Sequence, residues 1–311
     1  MHTHVPVLLQ ETVEILSPKV GDRILDVTLG LGGHSELLLH SAGDRGSLIA
    51  LDADTENIAH AEMKLEKFGT RVKIVHANFS ELPGCLPEDR RQFDVILADL
   101  GLSSPHIDDP SRGFTFRADA PLDMRFDRTT GMTAALLLAS LDEVTLLKIF
   151  QELGELPSAR RFTDAIVARR KDSPVRKSGD LVETANLVYG YKAPRVLPQI
   201  FQALRMAVNR ESEALQNFLL VVPALLAPGG RCAVISYHSL EDSPVKTSFR
   251  ELCRDGKDPF TGSVTRPSEF ELLTKKGIAP TASEIEKNSR SRSARLRAIR
   301  KRKEYDSRRI A

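Results

Sequence analysis

The stretch "DVTLGLGGH" (Asp26–His34) sets three glycines into four positions behind the apolar residues of "RIL". An apolar run entering a glycine turn reads as a buried strand delivering the chain to a ligand-facing loop. Glycine takes positive φ there and lets backbone approach a bound group. "HSELLLHSA" then has helical character, and "GSLIALDAD" (Gly46–Asp54) is a second strand ending in acids. "TENIAHAEMKLEKFG" (Thr55–Gly69) is a helix, with Thr55 as cap and Gly69 as stop. "RVKIVHANF" is a third strand and "FDVILADLGLSSP" (Phe93–Pro105) a fourth, apolar up to Asp99. This alternation predicts an α/β fold with a doubly wound parallel sheet. Ligands of such sheets sit beyond the carboxyl ends of the strands, near the switch point.

The rhythm stops after the fourth strand. From Ile107 to about Asn209 the sequence offers helical periodicity and turns but no buried strand. "LPQIFQALRMAVNRESEALQNFLLVVPALLAPGG" carries at least one long helix, with Pro223 near its break, before "GGRCAVISYHS" (Gly229–Ser239) returns as a fifth strand. The expected organisation is a discontinuous sheet domain, 1–107 with 210–311, and a helical insert, 108–209, that recognises substrate. After the fifth strand come a helix in "LEDSPVKTSFRELC", a loop over Gly256–Ser268, and two closing antiparallel strands in "FELLTKKGIAPT" and "SARLRAIRK".

Composition excludes several classes. No apolar run reaches about 18 residues, so no membrane span is expected. Gln10, Glu11 and Glu14 interrupt the N-terminal segment, which is therefore not read as a signal peptide. Cys85, Cys232 and Cys253 have neither metal spacing nor a disulfide pattern, which points to a reducing cytoplasm and no metal. The net charge of +2 conceals a division. Residues 290–309 hold ten basic and two acidic residues, against 34 basic and 40 acidic elsewhere. The basic end suits a polyanion, or is a solvated terminal segment.

The ligand of the glycine turn follows from what is missing. From Gly30 the chain reads G-L-G-G-H-S, with Ser35 where the dinucleotide fingerprint needs Gly or Ala, and no P-loop lysine follows. Asp26-Val-Thr28-Leu-Gly30-Leu-Gly32 instead resembles motif I of S-adenosylmethionine-dependent methyltransferases, with Thr28 in the first glycine position. Asp52 and Asp54 are placed for ribose hydroxyls, and "DLGLSSP" resembles the polar–proline motif of amino-group methyltransferases. An exocyclic amine conjugated with its ring is a poor nucleophile, so acceptors for its N–H groups that orient the lone pair are the chemistry such a motif supplies. Otherwise, Asp99 is a carboxylate satisfied by local N–H groups.

The whole chain resembles the ribosomal RNA small subunit methyltransferase H family. The resemblance rests on "HVPVLLQETVEIL" (His4–Leu16), "DVTLGLGGHS" (Asp26–Ser35), "LADLGLSSP" (Leu97–Pro105) and "DDPSRGFTFRADAPLDMRFD" (Asp108–Asp127). It continues in "FQALRMAVN" (Phe201–Asn209), "LLAPGGRCAVISYHSLED" (Leu225–Asp242) and "SRSARLRAIRK" (Ser291–Lys301). The resemblance implies a Rossmann-like class I methyltransferase sheet with a helical insert between the fourth and fifth strands. It also implies S-adenosylmethionine as cofactor and N4-methylation of a decoding-site cytidine in 16S rRNA, with the assembled small subunit as the expected partner and a monomer or homodimer as the enzyme. Cofactor contacts carry over onto Gly32, Gly33, His34, Asp52, Phe79, Asp99 and His106, and catalysis onto Asp99 with Ser103, Ser104 and Pro105. A side chain at Gly32 is expected to intrude on the methionine end of the cofactor. His106 departs from the family's usual Gln, and "GELPSARRFTDAIV" and "RVLPQIFQALR" depart from its usual patterns.

Asp123 and Arg125 of "PLDMRFD" either lie over a flipped base or form an ion pair bracing the insert. Arg295, Arg297 and Arg300 either contact RNA phosphates or sit in the sheet with solvated heads. His238 either faces the pocket or serves core and cap, and "SLED" reads as a cap with Ser239 at the N-cap. The rival functions are a non-catalytic RNA-binding assembly factor and a nicotinamide-dependent oxidoreductase.

Overall fold

The computed structural model describes residues 6–87 and 92–303. The chain divides into two compact units: one runs up to Gly101 and resumes at Glu213, and the other is Leu102–Ser212. The sequence places the divisions at 107/108 and 209/210.

In the first unit α1 (Leu9–Leu16), β1 (Arg23–Asp26), α2 (Gly33–Ser41), β2 (Ser47–Asp52), α3 (Thr55–Leu65), β3 (Val72–His76) and β4 (Phe93–Asp99) follow in order. The second unit holds α4 (Ser104–Asp108), α5 (Ala134–Ser140), α6 (Glu143–Lys148), α7 (Ala159–Arg169), α8 (Ser178–Tyr189) and α9 (Ala193–Val208). The chain then runs through α10 (Glu211–Leu225), β5 (Leu226–Ser236), α11 (Ser239–Leu252), β6 (Gly256–Lys257), β7 (Val264–Arg266), β8 (Phe270–Leu272), α12 (Ala282–Lys287) and β9 (Arg295–Lys301).

Among the described residues seven strands form one sheet in the order β3-β2-β1-β4-β5-β9-β8. The first five are mutually parallel, and β9 lies antiparallel to both β5 and β8. This is the Rossmann-like arrangement expected from the strand rhythm, with the closing pair at one edge. The inner strands β2 and β4 are apolar runs because both faces of a parallel sheet are covered. Their residues divide between two cores. Ile49, Leu51, Ile96 and Val234 pack with Phe218 and Val222 of α10 and Phe249 of α11. Leu48, Ala50, Leu97 and Ile235 pack with Leu38, Leu39, Ala61 and Leu65 of α2 and α3. The second unit has its own core, built on fully buried Phe150, Phe162 and Ile200.

Several boundaries differ from the sequence reading. Asp54, not Thr55, caps α3, accepting the Glu56 N–H at 2.8 Å. The break near Pro223 falls instead at Asn209–Arg210, where Arg210 takes φ +52°, and Pro223 lies inside α10. β5 ends at Ser236, so His238 rather than Ser239 is the N-cap residue of α11. The Gly256–Ser268 segment contains the β6–β7 hairpin.

Candidate active site

Parallel pairing brings the carboxyl ends of β2, β1, β4 and β5 side by side. Asp52, Asp26 and Asp99 end the first three strands, and Tyr237 follows the last residue of β5. The glycine turn leaves from the middle of this row, the switch point of the sheet.

The turn is tied to its neighbours by two of these acids. Asp26 is buried and accepts the Thr28 N–H at 3.1 Å and the Ser35 hydroxyl at 2.7 Å. Asp52 accepts the Gly30 N–H at 2.7 Å through one oxygen and the Asp54 N–H at 2.8 Å through the other. Each carboxylate oxygen has a second lone pair, so Asp52 can brace the turn and still accept from a ligand hydroxyl. Thr28, standing where the motif usually has its first glycine, accepts the Asp99 N–H at 2.6 Å and stitches the turn to β4.

The glycines have different roles. Gly32 takes φ +75° as the N-cap of α2, and a Cβ there would meet Ala61 and Leu65 of α3 at 3.4–3.5 Å. At that distance a Cβ makes ordinary contact with α3, so the positive φ, rather than crowding, is what calls for glycine here. A Cβ on Gly33 would lie 2.4 Å from the Pro6 ring. Gly30, with φ +52°, has only the Thr28 carbonyl within 4 Å of its Cβ position, at 3.9 Å, and is the open point of the turn.

Asp99 is gripped from both sides. Tyr237 donates its phenol hydrogen to Oδ1 at 2.9 Å, and His34 Nδ1 lies 3.6 Å from Oδ2. His34 is buried with Nε2 3.0 Å from the Val7 carbonyl, so Nε2 carries the proton of that bond. Burial pushes the Asp99 carboxyl up to about 8, with Asp26 and Glu241 adding repulsion and the Tyr237 hydrogen bond opposing them. Burial likewise raises Asp26 and Asp52 to about 6. None of the three acids has a Lys or Arg ion-pair partner among the described residues. The site is a row of buried acids with no cationic side chain beside them, which fits a ligand carrying a cation and a ribose.

Phe79 follows β3, half-buried, edge-on to Phe218 at 6.0 Å. In the second unit Ser103 caps α4, with Ser104 and Pro105 in its first turn. The Ser103 N–H donates to His106 Nδ1 at 3.2 Å, and the His106 ring packs against Phe114 and Phe126 at 5.0 and 5.1 Å. His106 is thus a buried brace of that turn. Asp123 and Arg125 form a bidentate pair at 2.7 and 3.0 Å, and Arg125 also donates to the carbonyls of Thr130 and Gly131, so the ion-pair reading describes them. His238 Nε2 lies 3.1 Å from Glu241, which also accepts the Tyr237 N–H. Arg297 pairs with Asp242 at 2.6 and 2.8 Å, Arg300 pairs with Glu271, and Arg295 donates to the Ala294 carbonyl. All three lie in β9; the 304–309 part of the basic segment lies outside the described residues.

Tyr237 and Thr28 escaped the sequence reading. The register that pairs Asp99 with Ile235 brings Tyr237 to Asp99, and no spacing in the sequence reveals that register. Among the described residues no cluster of metal ligands occurs, and no helix is long and apolar enough to cross a membrane.

A family model described as the MraW methylase family matches residues 1–302. A relative from Synechococcus elongatus is 44% identical over 298 residues, covering 94% of this chain and 93% of its own. One from Syntrophotalea carbinolica is 42% identical over 308 residues, covering 96% and 98%. One from Thermomicrobium roseum is 41% identical over 309 residues, covering 95% and 93%. All three carry the name ribosomal RNA small subunit methyltransferase H.

Proposed function

The chain belongs to the MraW methylase family, and from that premise we propose that it transfers a methyl group from S-adenosylmethionine to N4 of a cytidine in 16S rRNA of the small subunit. The observation that carries the reading is Asp99: a carboxyl fixed between Tyr237 and His34 at the end of β4, next to a glycine turn braced by Asp52. When bound, the cofactor supplies an electrophilic methyl group on a cationic sulfur. Asp52 would accept from the ribose hydroxyls, the open backbone at Gly30 would let the cofactor approach, and Phe79 would pack against its adenine. Gly32, Gly33 and His34 would contribute through backbone and position, while His106 braces the turn that carries Ser103.

As the carboxylate, Asp99 would accept an N–H of the cytosine amine and turn its lone pair toward the methyl carbon, and would take the proton released as the N–C bond forms and the S–C bond breaks with its electron pair left on sulfur. Ser103, Ser104 and Pro105 shape the turn that follows it in sequence. The target cytosine is buried in stacking or pairing within folded RNA, so it is extruded before reaction. The Leu102–Ser212 unit recognises the RNA around it. We assign the reaction to the assembled small subunit in a reducing cytoplasm, consistent with three free cysteines.

Mass mapping of small-subunit RNA from cells with and without the protein tests this. One cytidine in 16S rRNA should lose one methyl group on deletion and regain it with the wild-type chain. Complementation with Asp99→Ala should leave that cytidine unmethylated, a loss of about 10²-fold or more in rate. An unchanged methylation map on deletion overturns the function, and full restoration by folded Asp99→Ala overturns the role of Asp99.

A further inference from the structure

The arginines of β9 are the obvious RNA contacts in the sequence, yet their guanidinium groups are engaged. Asp242 takes the fork of Arg297 and Glu271 pairs with Arg300. Lys301 of the same strand donates to the carbonyls of Pro223 and Leu226. Cations that form no ion pair within 4 Å among the described residues lie beside this strand, although Lys246 still feels the Asp242 charge one turn away. Lys246 and Arg250 stand four residues apart on α11, hence on one helix face. Together with Lys275, which follows β8, and Arg297 they line a single shallow cleft floored by Phe249 and Leu272. Lys246, Arg250 and Lys275 form no ion pair and no hydrogen bond among the described residues.

The cleft also holds Thr274, which is buried and accepts the Ala298 N–H at 2.9 Å, leaving its hydroxyl proton for an acceptor. Since Arg297 is neutralised by Asp242, the surplus of the cleft is three positive charges and one hydroxyl donor. Like charges gathered round one cleft raise the energy of the empty site, and a polyanion relieves it.

We propose that this cleft binds the RNA phosphodiester backbone, with Lys246, Arg250 and Lys275 as its charge contacts and Arg297 as a fixed wall. The proposal rests on the assignment of an RNA substrate above. Such contacts set register and affinity without reading sequence. Of the two sequence readings of β9 they favour the second: its arginines hold the sheet, and the lysines and arginine beside them hold the RNA.

The test measures binding of fluorescein-labelled 16S rRNA fragments by anisotropy, across a salt series, for the full chain and for a triple variant, Lys246→Gln with Arg250→Gln and Lys275→Gln. Losing three phosphate contacts should flatten the slope of log affinity against log salt by about 2 to 3, and weaken binding about 100-fold at 0.1 M salt. Melting temperature and S-adenosylmethionine affinity should be unchanged. Arg300→Gln, which breaks a pair with Glu271, should keep the wild-type slope. An unchanged slope in a folded triple variant overturns the cleft while leaving the methyltransferase reading intact. Absence of binding by the wild-type chain both to the fragments and to assembled small subunits overturns both. Saturable binding of inorganic phosphate at constant ionic strength, lost in the triple variant with RNA affinity intact, overturns the RNA assignment in favour of a free anion.

Discussion

Asp99 is held by groups from three separate parts of the chain: the Thr28 hydroxyl on its N–H, the Tyr237 phenol on Oδ1 and the His34 ring beside Oδ2. Gly101, at φ +96°, lets the chain leave β4 past the Tyr237 ring, which a Cβ there would meet at 3.3 Å. The phenol stabilises the charged carboxylate and so opposes the burial that raises Asp99 to about 8. Tyr237→Phe keeps the ring and removes only the donor. Because a hydrogen bond to a charged group contributes about 1.5–3 kcal/mol, the carboxyl should rise by a further unit or more, about 1.4 kcal/mol per unit. If the carboxylate is the working form, the acidic limb of the kcat/KM profile moves up in pH by that amount while the melting temperature changes little. A limb that stays in place would make Tyr237 a packing residue. Asp52 and Asp99 were legible as strand-ending acids because their positions depend only on where apolar runs stop, and Asp26 as the acid that opens the glycine-turn motif. Tyr237 depends on how two strands 138 residues apart align, which the sequence does not express locally.

At the scale of elements, the long apolar runs were legible and the ends were not. The strand β2 is found within a residue or two of its expected bounds and β4 starts where expected, because burial on both faces leaves no polar interruption, but β4 ends at Asp99, where its apolar run stops, rather than at Pro105. The α11 start moved by one residue because Tyr237 is drawn to Asp99 and Glu241, which puts His238 at the cap. Asp242, expected as a capping acid, instead anchors α11 to β9 through Arg297, with side chains 23% and 12% exposed. The carboxylate is held below its usual range: burial works against this, and the Arg297 fork more than offsets it. Asp242→Asn removes the charge but keeps the shape, leaving a largely buried guanidinium under-compensated. We expect a loss of about 2 kcal/mol, read as a lower urea midpoint with an unchanged slope. A midpoint within experimental scatter of wild type would show that the pair is solvent-screened and that apolar packing alone holds α11 to β9.

At the scale of the whole molecule, the acids at the carboxyl edge of the sheet are a liability without a cationic ligand. Asp26 and Asp52, at about 6, and Asp99, at about 8, all sit above the ordinary carboxyl value of about 4. Between those limits the folded chain binds more protons than the unfolded chain. Their contribution to stability is therefore complete below about pH 4 and is lost as pH rises through 6 and then 8. A protein with a buried row of acids at its centre should thus melt at a lower temperature at pH 8.5 than at pH 5.5. On the proposed reading S-adenosylmethionine would bring a sulfonium to this row and its demethylated product would not, so the two ligands would differ by one positive charge there. The excess thermal shift given by the cofactor over the product should grow from pH 5.5 to pH 8.5, as Asp99 becomes charged and gains from a cation beside it. In Asp99→Asn, which cannot ionise, that excess should no longer depend on pH above 6.5, beyond the titration of Asp26 and Asp52. Scanning calorimetry at three pH values with each ligand decides it: an excess equal at all three in the wild-type chain would mean that the sulfonium does not face Asp99.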